Sequence, residues 1–163
     1  MTDLPTDPIR DEHRELIPHL LHVEEASVQV TGWDLSQAQR GLPRIVGFLR
    51  DDLVPHARAE EELLYPAVDR LQGAATTATM IVDHIVIGEL IEKLAADVEE
   101  ALAHWDNQQL VAGLSRELAA VAAIVGLHFR KEEEVLLPIL DAGLTIEEGH
   151  ELFGQMGHTD HAH

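Results

Sequence analysis

The sequence predicts an all-α protein: an antiparallel up-and-down four-helix bundle with a short extra helix at its C-terminal end. Two observations carry this. Apolar residues recur at steps of three and four through four long segments, and alternating apolar and polar runs of the kind strands need are hard to find. At 163 residues with 45 % apolar content, the chain suits one domain with a core rather than two.

The elements follow in order. The first helix is expected to begin where Asp7 can cap and Pro8 can occupy the first turn, with Asp11 and Glu12 complementing the helix dipole, and to run to about Val30. Pro18 inside it removes a backbone donor and predicts a bend. After TGWDLS a second helix runs from about Ser36 to Leu71, punctuated by Pro43, Pro55 and Pro66. The stretch QGAATTAT forms the next break, and Thr76 or Thr77 starts a third helix reaching about His104. Asp106 caps a fourth, which ends near Asp141 and Gly143. Thr145 with Glu148 has the pattern of a capping box and opens the short extra helix. This divides the chain into a flexible N-terminus (1–6), the bundle (7–143) and a short helix with a disordered His-containing tail (144–163).

The inward stripes can be read by counting. In the fourth helix Leu114, Leu118, Val121, Val125, His128, Glu132, Val135 and Ile139 lie on one face; in the second, Leu42, Val46, Leu49, Leu53, His56, Glu60, Leu63 and Ala67. The third gives His84, Ile87, Ile91, Leu94 and Val98, and the first Ile9, His13, Ile17 and Leu20. Every long helix therefore carries a histidine on its buried face, and two carry a glutamate one turn later.

Burying Glu60 and Glu132 opposes folding by about 5–10 kcal/mol in all unless positive charge meets them. No Lys or Arg lies on those stripes. A pair of metal cations would neutralise both carboxylates, take His13, His56, His84 and His128 as neutral ligands, and cross-link all four helices. A repeat points to two ions rather than one. HARAEEELLYPAVD from His56 matches HFRKEEEVLLPILD from His128 as H-x-R-x-E-E-E-x-L-x-P-x-x-D, and a nearly equal offset carries His13 onto His84. Each half supplies two histidines and one glutamate, with both glutamates bridging. Octahedral iron would keep room for an oxide or hydroxide bridge and an open position; zinc and manganese also accept nitrogen and oxygen donors.

Ferritin-like di-iron bundles use the order E-x-x-H with further glutamates, and this chain has neither that order nor that carboxylate count. The EHREL context of His13, the HARAEEELLYP motif, Asp83 with His84, and HFRKEEEVLLP instead resemble the hemerythrin-like (HHE cation-binding) domain over about residues 8–142. The resemblance implies a non-haem di-iron centre, with an oxo or hydroxo bridge, that meets dioxygen, nitric oxide or hydrogen peroxide in order to bind, sense or detoxify them. Oxygen-carrying members have a further His four residues after the third-helix one, where this chain has Gly88, and Asp where it has Glu132. The set of four His and two Glu is more similar to bacterial iron-centre repair proteins, which leaves two alternatives beside the binder: a peroxidase- or catalase-like enzyme, and an iron storage or donation protein.

Other titratable groups read as surroundings. His19, His22 and His104 fall on outward faces; Glu61, Glu62, Glu133 and Glu134 form a solvated face from which Glu61 or Glu133 could orient a ligand; Tyr65 lies half a turn off the ligand face and is assigned to packing. His150, His158, His161 and His163 belong to the terminal segment. Eleven Lys plus Arg against 30 Asp plus Glu give a formal charge of −19, which argues against nucleic acid or anionic lipid as a partner. Without cysteine there is no disulfide framework or thiolate site. No signal peptide or membrane span is visible, so the expected location is cytoplasmic.

Overall fold

A computed structural model describes residues 3–154, and these are helical almost throughout, with no strand among the described residues. Four long helical stretches and one short one make up a helical bundle. Helix α1 spans Asp7–Gln29 and is followed by a single turn at Val30–Gly32. Helix α2 covers residues 35–72, α3 is Ala78–Ala103, α4 runs over Gln108–Gly143, and α5 is Ile146–Phe153. Helix α4 packs against both α1 and α3, α2 against α3 and α1, and α5 against α1 and the middle of α2.

Helix starts follow local chemistry. Asp34 caps α2 reciprocally with Gln37, and Thr145 caps α5 with Glu148 as the sequence predicts. Asn107, not Asp106, caps α4, its side chain accepting from the Gln109 and Leu110 N–H groups. Gly73 ends α2 at φ +68°, a left-handed position that glycine takes without steric cost. Asp69 accepts from the Thr77 N–H at 2.9 Å and from its hydroxyl at 3.1 Å, fixing the start of α3. Asp141, at the equivalent place in the repeat, accepts from the Thr6 hydroxyl at 2.7 Å and the Thr6 N–H at 3.2 Å, fixing the start of α1. Thr6, not Asp7, is thus the N-cap of α1. It is fully buried although it falls in the segment expected to be flexible. The closing Asp of the repeated motif is therefore a clamp on a helix start, that of α3 for Asp69 and that of α1 for Asp141. The GHTDHAH segment lies outside the described residues.

Proline decides where the long helices widen. Three turns hydrogen-bond from residue i to i−5: Val54 to Leu49, Tyr65 to Glu60, and Leu137 to Glu132. Each is followed at once by a proline, Pro55, Pro66 or Pro138. A proline has no N–H and its ring presses on the carbonyl one turn back, and a wide turn relieves both problems by absorbing one extra residue. The extra residue shifts the stripe by one. Leu64 and Val68 are buried where Leu63 was expected, and Leu136 and Leu140 replace Val135 and Ile139, with Val135 53 % exposed. In α1, Leu16 is buried and Ile17 is 40 % exposed, because the stripe steps by three after His13.

Against the expectation of no membrane span, Gln108–Gly143 is long and apolar enough to cross one by length and composition. Packing accounts for part of that composition: Leu114, Leu118, Val121 and Val125 are almost wholly buried against the bundle.

Candidate metal centre

The structure brings all six expected side chains together in the dry middle of the bundle. Glu60 and Glu132 are fully buried, the side chains of His13, His56 and His128 nearly so, and that of His84 is 6 % exposed. The His56 Nε2 lies 2.8 Å from Glu60 Oε1, and His13 Nε2 lies 3.5 Å from both Glu60 and Glu132. On the other side, His84 Nε2 is 3.3 Å from Glu60 Oε2 and His128 Nε2 is 3.3 Å from Glu132 Oε1. The six residues form two four-donor groups, His13/His56/Glu60/Glu132 and Glu60/His84/His128/Glu132, each with donor atoms within 4.8 Å of one another. The two groups share both carboxylates.

Every imidazole has a carboxylate behind it, hydrogen-bonded to Nδ1 in three of the four. His13 donates from Nδ1 to Glu133 at 2.7 Å and His84 from Nδ1 to Glu61 at 2.8 Å. His128 donates from Nδ1 to Asp83 at 3.2 Å, and Glu12 approaches the Nδ1 of His56 to 3.2 Å. A proton fixed on Nδ1 leaves the Nε2 lone pair facing inward, as metal-ligating histidines require. Arg10 pairs with Glu133 and Lys131 with Asp83, holding two of the four carboxylates in turn. Those cations, with His13 and His128, keep Glu133 and Asp83 below the ordinary carboxylate range. Glu12 and Asp83 were not singled out as orienting groups from sequence. Their signal is the acidic residue immediately before His13 and before His84, repeated at the same offset as the histidines.

Tyr65 corrects the sequence reading. It is buried, and its hydroxyl donates to Glu132 Oε1 at 2.9 Å while lying 3.1 Å and 3.2 Å from the Nε2 atoms of His84 and His128. The wide turn at Glu60–Leu64 brings it round to the centre, whereas a regular helix would have turned it away. Burial and the nearby Glu60 and Glu132 charges push its phenol well above the ordinary range, so it is a neutral donor. Its counterpart in the second repeat is Leu137. His19, His22 and His104 are exposed, as expected.

The donor set suits cations. His84 Nε2 and His128 Nε2 stand 2.9 Å apart, and two lone pairs at that distance are reconciled by a shared proton or a shared cation. Glu60 Oε2, Glu132 Oε2 and both ring nitrogens of His56 are buried with no well-formed hydrogen bond. Burial lowers the proton affinity of an imidazole, yet the buried carboxylates outweigh it here, raising His13 and lifting His56 and His128 to about 10. Burial likewise pushes Glu60 up, but the surrounding histidines hold it well below the usual range; Glu132 is raised by burial and by the charge of Glu60. The centre thus gathers positive charge in whatever form is offered, proton or metal.

The hemerythrin HHE cation-binding domain model matches residues 4–158. The chain belongs to the hemerythrin HHE cation-binding family. Among curated proteins it is similar to the iron-sulfur cluster repair protein YtfE of Enterobacter sp. (strain 638), 29 % identical over 136 residues, which cover 82 % of this chain and 61 % of the relative. YtfE of Salmonella schwarzengrund is 29 % identical over 85 residues, covering 50 % of this chain and 38 % of the relative. The matches therefore span less than two thirds of these relatives. No solved structure matches. As a hemerythrin-family domain with a buried His/Glu cluster, the chain has the makings of a non-haem iron site.

Proposed function

We propose that this chain is a di-iron hemerythrin-like protein that binds and senses or detoxifies dioxygen, nitric oxide or peroxide. His13 and His56 would hold one iron, His84 and His128 the other, with Glu60 and Glu132 spanning the pair. The single observation that carries the reading is the pair of four-donor groups sharing two fully buried carboxylates. Bound iron would supply open coordination positions and a redox couple for small oxidants. The protein's own work is positioning: Glu133, Glu61, Asp83 and Glu12 steer the imidazoles, and the Tyr65 hydroxyl fixes Glu132. Phe153, fully buried on α5 and packed with Ile9, Leu64 and Tyr65, keeps water from the far side. The reading takes the four long stretches as an up-and-down antiparallel bundle, which the short breaks between them support, working in a cytoplasmic setting.

A second reading, iron storage or donation, is favoured by the similarity to proteins named for iron-sulfur cluster repair. Elemental analysis of protein grown with iron, followed by a peroxide and nitric oxide assay, separates the two. About two irons per chain with sustained consumption of peroxide or nitric oxide supports detoxification, and a stoichiometric spectral change without turnover supports binding or sensing. Transfer of iron to an acceptor without reaction supports donation, and a chain that takes up no iron overturns both readings.

A further inference from the structure

The two half-sites differ in how they meet the outside. Around His13 the chain is closed: Phe129 stacks on the imidazole with ring centroids 4.7 Å apart. The repeat places Ala57 where the second half has Phe129, and Gly88 where the first half has Ile17. Two small residues thus fall on the same side of the centre. A cavity of about 230 Å³ opens there. A Cβ built on Gly88 meets nothing within 4 Å, so the space beside it is open.

The lining changes from outside to inside. Leu53, Ile87, Val125 and Phe129, all buried, give apolar walls. His56, Glu60, His84 and His128 form the inner end, while His13, Glu132 and Tyr65 take no part in the lining. Arg58 lies at the exposed outer end and makes no ion pair among the described residues, in a chain of formal charge −19. Glu61, also at that end, is engaged by the His84 Nδ1–H. A diatomic molecule would leave most of this volume unfilled, since cavities of about 150 Å³ already hold benzene.

We propose that this cavity binds a small organic monoanion, a carboxylate carried on one ring or a short branched chain. Its head faces the histidine end, its body lies on the apolar walls, and Arg58 favours its charge at the entrance. The inference deepens and rests on the reading above, because iron held by the histidines at the inner end would supply the strongest attraction for the head.

The test is a titration of the iron-loaded protein with benzoate and, separately, with azide as a small anion that needs no apolar wall, followed by calorimetry and by the visible spectrum, with iron content measured on every sample. One benzoate is expected to bind per chain. Gly88→Leu, which grows into open space and removes a helix-interior glycine, is expected to weaken benzoate at least about tenfold while keeping the iron and the azide response. Arg58→Gln is expected to weaken it by about two- to fivefold, the range of an exposed charge. An iron-loaded protein that answers azide but not benzoate overturns the proposal and leaves the iron reading standing, as does equal benzoate binding by wild type and Gly88→Leu. Benzyl alcohol binding as tightly as benzoate overturns the anionic part. Should the chain take up no iron, the iron reading fails separately, and the same titration on the chain as isolated decides the cavity: Gly88-dependent binding supports it and absence of binding overturns it.

Discussion

The His13/His56 half and the His84/His128 half are built from one repeated motif, yet the cavity reaches both histidines of the second and only His56 of the first. What they share marks the constraints of the centre. Both have a wide turn beginning at the glutamate, a proline just after it, an acidic residue before the leading histidine and a clamp from the closing Asp to the start of another long helix. Where they differ, the centre tolerates or requires asymmetry. Glu133 behind His13 is tied to Arg10, whereas Glu61 behind His84 is 41 % exposed and has no cation on it among the described residues. Tyr65 in the first repeat corresponds to Leu137 in the second, so a single hydroxyl serves the pair of half-sites. Shared features hold a cation pair, and unshared ones decide which side meets the outside.

The strongest way to break the comparison is to remove what both halves use. Glu60→Gln together with Glu132→Gln is expected to abolish metal binding at both half-sites, read as metal per chain after gel filtration, because each four-donor group loses both of its anionic donors. Next come the orienting carboxylates. Glu133→Gln is expected to weaken metal at the His13 side by about 10- to 100-fold in chelator competition. Glu61→Gln should cost less at the His84 side, since an exposed partner holds its ring less firmly. An equal loss in the two variants would erase the distinction between the two halves.

Tyr65→Phe sharpens the asymmetry at a smaller scale. It takes the donor from a buried Glu132 oxygen and is expected to destabilise the metal-free chain by about 1–3 kcal/mol in thermal or denaturant unfolding, with the metal count unchanged. Acidity provides the last comparison. In the metal-free chain His56 and His128 are raised from 6.5 to about 10, so the stability they contribute is complete below about pH 6.5 and is lost as pH rises through about 10. Metal competes with those same protons, so affinity for metal should rise over that interval. Thermal melts of the metal-free protein should therefore fall from pH 7 to 10 while metal stabilisation grows.

Much of this was legible in the sequence because it rests on helical period alone. His13, His56, Glu60, His84, His128 and Glu132 sit on the apolar stripes, and the structure brings all six together. The period failed where the backbone departed from it. After Glu60 and Glu132 the stripe slips by one residue, which exposes Val135, buries Leu64 and Leu136, and turns Tyr65 into the centre. The prolines at 55, 66 and 138 carried that information as a backbone requirement. The orienting role of Glu12 and Asp83 is hidden for another reason: it depends on how neighbouring helices are rotated, which no single stripe records. The cavity beside Gly88 is likewise a property of side chains from three helices meeting, one of them an alanine where its repeat partner is a phenylalanine.

Diffraction from crystals of iron-grown protein at wavelengths above and below the iron edge tests the central claim most directly. Two anomalous peaks in each chain, one beside His13 and His56 and one beside His84 and His128, with Glu60 and Glu132 between them, is the result expected. A single peak, or a centre in which the imidazoles contact only one another and the two carboxylates, would contradict it.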